Sequence, residues 1–375
     1  MAHQASVRTP DFLRIGVNSR FILEKGTGVP NYIISLFKKC LETDRRNEYV
    51  FLQPHDSRTL GQTLTAPTRP GMAGAALFDS LRVRKLIKAA NVNVFHAPAH
   101  ILPLGRISGV KYVLTIHDLA TRVLPEQYGL LHRWYYRIQL PRSLRLADAI
   151  IADSHSTKND IMRFYRIPEN RIHVVHLGVA DYIQQAMQNP GKRLIAEKYF
   201  FSVATHPKRK NVLGTLTAFA AIAGRSDVKF VIAGVIGEQQ RQELLAHAAQ
   251  LGLTERIVLF GYADDQQLVN LYRFAECLTY ASFYEGFGFP VVEAMACGCP
   301  VITSRISSMP EIVPDTDWLV DPYNTPEITR KMEKILALSP SDRQQLISRN
   351  QQHAKSFTWE RAARQTINVF EQVTR

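Results

Sequence analysis

Glu285 and Glu293 are the residues of this 375-residue chain whose surroundings speak most directly of chemistry. They stand in SFYEGFGFPVVEAMACGCPVITS (282–304), with Glu285 closing a strand-like run. Gly286 and Gly288 give the backbone the freedom to make a tight, close-approaching loop. Pro290 suits a first helical turn, and this reading puts Glu293 in that same turn. Both carboxylates and several backbone N–H groups then converge on one helix N-terminus, where anions bind readily. Carboxylates so placed accept sugar or ribose hydroxyls while amides hold phosphate. The plain alternative makes Glu293 a dipole-compensating acid and Glu285 a solvated loop residue. Against it, a loop exposing Phe287 and Phe289 needs a reason.

A second cluster is HPKRKN (206–211), where Lys208, Arg209 and Lys210 follow the strand-like FFSVAT. Successive cations at a strand end suit a diphosphate leaving group, whose growing negative charge needs fixed positive partners. A solvated loop is the alternative. His117 ends KYVLTIHDL at another strand end, where a lone histidine is more often structural. Gly26-Thr27-Gly28 follows the first strand but lacks the dinucleotide fingerprint, so a nicotinamide site has little support. Ser154, His155, His96 and His100 are weaker candidates, with packing as the simpler account.

The elements that must position these groups alternate between strand and helix. Strand-like runs fall at 12–21, 48–54, 92–98, 111–119, 149–154 and 172–178, and a second series at 200–205, 229–234, 257–262, 277–284 and 300–304. Helical patterns between most of them indicate parallel sheets with crossover helices. The expected fold class is α/β, with two doubly wound Rossmann-like domains. The expected divisions are 1–185, 186–357 and a closing helix within 358–375. Ligands of such sheets bind at the carboxyl ends of strands.

The chain is 46% hydrophobic and 21% charged, which excludes disorder and a disulfide-stapled miniature fold. The longest uncharged run, 89–105, is broken by prolines, asparagines and histidines and cannot sit in hydrocarbon. The N-terminus shows no apolar core of a secretion signal, and the four cysteines form no CxxC pair, so a reduced cytoplasmic protein is expected. Of the net charge of +13, residues 1–180 supply 25 Lys and Arg against 13 Asp and Glu, a balance of +12. Part of the excess lies at Arg82, Arg84, Lys85 and Lys88, and part in the aromatic and basic HRWYYRIQLPRSLR (132–145). No nucleic-acid-binding signature accompanies it, which leaves a solvated face, an anionic membrane surface or a phosphorylated acceptor.

The run 282–304 resembles the signature of glycosyltransferase family 4, retaining transferases of the two-domain GT-B fold. The likeness extends through 261–313 and the terminal FTWERAA (357–363), and it is stronger in the second half. Ala281 replaces a frequent proline and Ala204 a frequent glycine. The resemblance implies two domains facing across a cleft. It implies that Glu285 meets the donor sugar, Glu293 the ribose, and Arg209, Lys210 and the amides of Gly286, Phe287 and Gly288 the diphosphate. Glu285, His117 and Lys210 become the catalytic candidates, with His117 on the donor sugar and Gly28 beside the donor phosphate. It assigns no metal, so Asp315-Thr316-Asp317, which superficially looks like a metal triplet, is read as a decoy. The H-P-x-R-K-N form is similar to bacterial mannosyltransferases of surface polysaccharide assembly, which implies GDP-mannose as donor and no cofactor. The implied acceptor is a glycan, free or on a polyprenyl diphosphate, with the basic half at the inner leaflet and no nucleic acid as partner. Alternatives are a sugar-nucleotide epimerase, a phosphorylase, for which no cofactor-lysine signature is present, or a non-catalytic nucleotide-sugar-binding protein.

Overall fold

The computed structural model describes residues 12–23, 28–55, 59–68, 71–204, 208–224 and 226–375. They form two compact units. The first takes the chain up to Arg122, then Tyr128–Gly178 and Trp359–Arg375; the second takes Val123–Gln127 and Val179–Thr358. Residues 179–185 go with the second unit: Val179 N donates to Phe357 O at 3.0 Å, and Tyr182 OH donates to Glu293 at 3.0 Å.

The first unit holds β1 (Arg14–Asn18), β2 (Glu48–Gln53), β3 (Thr63–Thr65), β4 (Val94–Ala97), β5 (Lys111–Ile116), β6 (Ala149–Ala152) and β7 (Ile172–Val174). Their order is β3-β2-β1-β4-β5-β6-β7, with every pair parallel. Strands such as AIIA of β6 are buried at every position, as a sheet covered on both faces requires. The terminal helix Trp359–Gln372 packs on the helix Gly28–Thr43 through Tyr32 and Trp359, and Lys39 pairs with Glu360 at 2.9 Å.

The second unit holds β8 (Tyr199–Val203), β9 (Lys229–Ala233), β10 (Ile257–Gly261), β11 (Cys277–Tyr280), β12 (Val301–Ser304) and β13 (Leu319–Val320). Their order is β10-β9-β8-β11-β12-β13, again all parallel. Strand order reverses direction at β8 and β11, which lie side by side. The crevice outside the carboxyl ends of such a pair is where doubly wound sheets take ligands. The expected strand at 277–284 stops at Tyr280, because Ala281–Tyr284 leaves the sheet toward Glu285. Among the described residues no helix is long and apolar enough to cross a membrane.

Candidate active site

The loops that leave β8 and β11 are held together at that reversal point. Phe283 N donates to Arg209 O at 2.9 Å, and Arg209 Nη1 reaches back to Tyr284 O at 3.3 Å. The same guanidinium nitrogen sits 3.0 Å from Glu285 Oε2. Glu285 Oε1 accepts from Tyr280 OH at 2.8 Å and from Ser282 Oγ at 3.0 Å. The carboxylate is therefore buried and fully engaged, rather than a solvated loop residue. Its own amide donates to Ser307 Oγ at 3.1 Å, and Ser308 Oγ lies within 3.0 Å of the Glu285 and Phe287 carbonyls.

Lys210 is the buried member of the cation cluster, 6% exposed, with Nζ 5.0 Å from the centre of the Tyr280 ring. Burial pushes its ammonium down to about 8, while the Glu285 and Glu293 carboxylates pull it up. Lys208, by contrast, points to solvent and faces Glu243 at 3.9 Å. His206 lies outside the described residues.

Gly288 caps the helix Phe289–Ala296 with φ 108°, a left-handed conformation that disfavours any side chain. A Cβ at that position would also meet Met309 Cε at 2.3 Å. Because the helix starts at Phe289, Glu293 falls in its second turn, not its first as expected. The expectation of an exposed Phe287 also fails, since its ring is buried against Phe289 and Phe357. Glu293 is held by two phenols, Tyr182 OH to Oε1 at 3.0 Å and Tyr272 OH to Oε2 at 3.1 Å. Burial raises its carboxyl, and the two tyrosine hydrogen bonds pull in the opposite direction. Each oxygen keeps a second lone pair, so the carboxylate can still accept a vicinal diol.

Two cavities open beside these groups. One, of about 610 Å³, is lined by Lys208, Arg209, Gly237, Phe283 and Tyr323 among others. The other, of about 200 Å³, lies at the ends of β9 and β10 between Gly234, Arg241, Gly261 and Tyr262. They share Ile236 and so adjoin.

The sequence models of two families divide the chain between them. Residues 28–181 match the family described as Glycosyltransferase Family 4, and residues 185–353 match Glycosyl transferases group 1. O-antigen chain mannosyltransferase B of Escherichia coli is 30% identical over 286 residues, which is 74% of each chain. The chain belongs to the group 1, family 4 glycosyltransferases. Serotype-specific mannosyltransferase WbdA of Escherichia coli is 28% identical over 69% of this chain, which spans 33% of that longer protein. The crystal structure of Anabaena Alr3699/HepE in complex with UDP-glucose superposes with a TM-score of 0.72 at 17% identity, covering 96% of this chain and 100% of that one. The fold is GT-B, and the protein is an enzyme of the glycosyltransferase class.

In this glycosyltransferase Arg209, Lys210, Glu285, the loop 286–288 and Glu293 gather in the second unit, whereas His117 and Gly28 belong to the first. His117 is engaged through both ring nitrogens and its amide. Nδ1 lies 2.7 Å from Asp153 Oδ2, Nε2 lies 2.8 Å from Pro98 O, and the amide donates to His100 Nε2 at 3.0 Å. A carbonyl only accepts, so Nε2 carries hydrogen and a second proton is shared with Asp153. Burial works to lower the imidazole pKa, but the Asp153 carboxylate outweighs it and the result is raised. Gly28 is the exposed first residue of a helix, not part of a turn, and Gly26 and Thr27 lie outside the described residues. His96 is a buried histidine on Thr115 Oγ1, and burial holds it near 3. Ser154 caps the helix His155–Tyr165.

The acidic run at 315–317 is tied into structure. Asp315 caps a short helix and binds Arg349 at 2.6 Å, while Asp317 pairs with Lys331 and Lys334. Sequence reasoning missed Tyr182, Tyr272, Tyr280 and Asp153, the residues that hold the three acid and imidazole groups in place. Tyr272 and Tyr280 fall within the stretch 261–313 that carries the likeness, whereas Tyr182 and Asp153 lie outside it.

Proposed function

We propose that this enzyme transfers mannose from GDP-mannose to a glycan acceptor, with retention at the anomeric carbon and with cations of the protein doing the work of a metal. The observation that carries the reading is the pairing of Arg209 with Glu285, beside buried Lys210, where β8 and β11 reverse the strand order. The names of the two Escherichia coli relatives support mannose as the sugar.

The guanine base occupies the smaller cavity and the diphosphate the larger, next to Arg209 and Lys210, with the loop 286–288 alongside. Glu293 takes the ribose hydroxyls. When the diphosphate draws Arg209 to itself, Glu285 Oε2 is released to accept a hydroxyl of the sugar. The bond between the anomeric carbon and the diphosphate oxygen breaks, and its electron pair stays on the diphosphate, facing two cations. The acceptor hydroxyl oxygen bonds to the anomeric carbon on the same face and gives its proton to the departing diphosphate. The acceptor is a glycan carried on a polyprenyl diphosphate at the inner leaflet, in the assembly of a bacterial surface polysaccharide.

The test is product formation from GDP-mannose, UDP-glucose and ADP-glucose with lipid-linked and free glycans. Mannosyl transfer with an α-linked product supports the reading. Conversion of the donor without any acceptor identifies an epimerase instead, and inertness toward every donor contradicts it.

A further inference from the structure

The helix Leu130–Leu146 is half core and half surface. Its second half buries Leu140, Ser143 and Leu144, whereas its first three turns expose Leu130 (70%), Leu131 (76%), Trp134 (62%) and Ile138 (60%). Positions 130, 134 and 138 are four apart and lie along one stripe, with Leu131 beside them. Arg133 and Arg137 are exposed on its flank, and the Arg137 guanidinium stands 5.9 Å from the Trp134 ring. Soluble proteins rarely leave an aromatic and aliphatic stripe of this kind uncovered without use for it.

A loop ties this helix to a second segment with exposed apolar side chains. Arg142 Nη1 donates to Pro103 O at 2.7 Å, and Leu104 N donates to Ser80 O at 2.9 Å. The loop 101–105, itself exposing Leu104, thus ties this helix to the segment 77–88, which exposes Leu77 and Leu81 and presents Arg82, Lys85 and Lys88 to solvent. Residues 80–117 and 127–147 together carry ten Lys and Arg and no Asp or Glu. Asp148, just outside these windows, pairs with Arg106, while Arg82, Lys85, Lys88, Arg133 and Arg137 are exposed. Apolar side chains flanked by such cations are complementary to an anionic bilayer, where the rings and leucines enter the acyl boundary and the arginines reach the headgroups.

We propose that this face, centred on Trp134, seats the enzyme on an anionic membrane. It deepens the lipid-linked acceptor of the proposed function, yet it is measured without any sugar donor, so its failure and the failure of that reading are separable. Trp318 and Trp359 are buried, which makes Trp134 the exposed reporter among the three tryptophans.

The full chain is mixed with phosphatidylcholine vesicles with or without phosphatidylglycerol and sedimented. The anionic vesicles are expected to carry it down and shift its tryptophan emission to the blue, and the neutral vesicles to do neither. Trp134→Phe abolishes most of the emission shift. Arg133→Glu with Arg137→Glu weakens partitioning by at least about tenfold. Trp134→Glu with Ile138→Glu removes it, with an unchanged circular dichroism spectrum. Equal sedimentation of these variants and the wild type overturns the proposal, as does indifference to lipid charge. A dimer in light scattering that the Trp134→Glu, Ile138→Glu variant dissolves also overturns it, because a second copy then covers the face.

Discussion

Arg209 and Glu285 follow two different strands, yet Nη1 of one stands 3.0 Å from Oε2 of the other. Both are largely withdrawn from water, at 14% and 8% side-chain exposure, so each is the other's charge partner in the unliganded protein. Under the proposed function a donor diphosphate competes for Arg209, and success leaves Glu285 Oε2 without it while Tyr280 and Ser282 hold the other oxygen. On that proposal, binding the leaving group and exposing the carboxylate assigned to the sugar are one event.

Glu285→Gln should keep nucleotide binding and lose turnover, because the amide retains the shape but not the charge that the sugar-bearing complex needs. Arg209→Ala should weaken nucleotide binding and slow turnover together, and also destabilise the fold by about 3 kcal/mol, since it leaves a buried carboxylate without its cation. Steady-state kinetics with thermal denaturation separates the two.

Lys210 predicts opposite pH trends for stability and binding. Its ammonium is held near 8 by burial, below its ordinary 10.5, so between these values the unfolded chain binds more protons than the folded one. Its contribution to stability therefore grows as pH rises from 8 to 10.5 and is lost as pH falls through 8. Affinity for GDP should fall over the same rise, as the cation disappears. Melting temperatures with and without GDP across that range should show both slopes, and Lys210→Met should flatten both.

The pair of His117 and Asp153 holds one shared proton. Asp153 Oδ1 is buried without a hydrogen bond, so the imidazole is the main partner of that carboxyl. Asp153→Asn should remove the main opposition to burial and lower the pKa of His117, with Pro98 O and Asp118 still acting to raise it. The contribution of His117 to stability is full below pH 6.5 and is lost as pH rises through its raised value. Titration of the His117 ring proton by nuclear magnetic resonance checks both statements.

Tyr182→Phe and Tyr272→Phe each remove one donor from a buried carboxylate. Each should cost about 1–3 kcal/mol of stability and raise KM for the donor more than it lowers kcat, because Glu293 is assigned to the ribose. Thermal denaturation and initial rates over a range of donor concentrations measure the two effects.

The alternation of apolar runs made both sheets legible, because fully buried parallel strands such as KFVIA and VITS announce themselves as β-branched stretches. β3 and β13 did not, being three and two residues long, too short for any period to show. The motif run located Glu285 and Glu293, but the turn occupied by Glu293 was misjudged because the helix already begins at Phe289, capped by Gly288. Tyr182 lies 111 residues from the carboxylate it holds, and no local pattern reveals a partner at that distance. Asp153 was similarly hidden, since its contact with His117 comes from β5 and β6 lying side by side in the sheet.

The central claim is that the positive side chains after β8 hold the diphosphate of a nucleotide sugar. Calorimetric titration of GDP into the wild type and into Arg209→Ala and Lys210→Met tests it most directly. Binding by the wild type, weakened about tenfold to a hundredfold in each folded variant, is the predicted result, in line with the loss of one charge-assisted hydrogen bond. Unchanged affinity in both variants would contradict it.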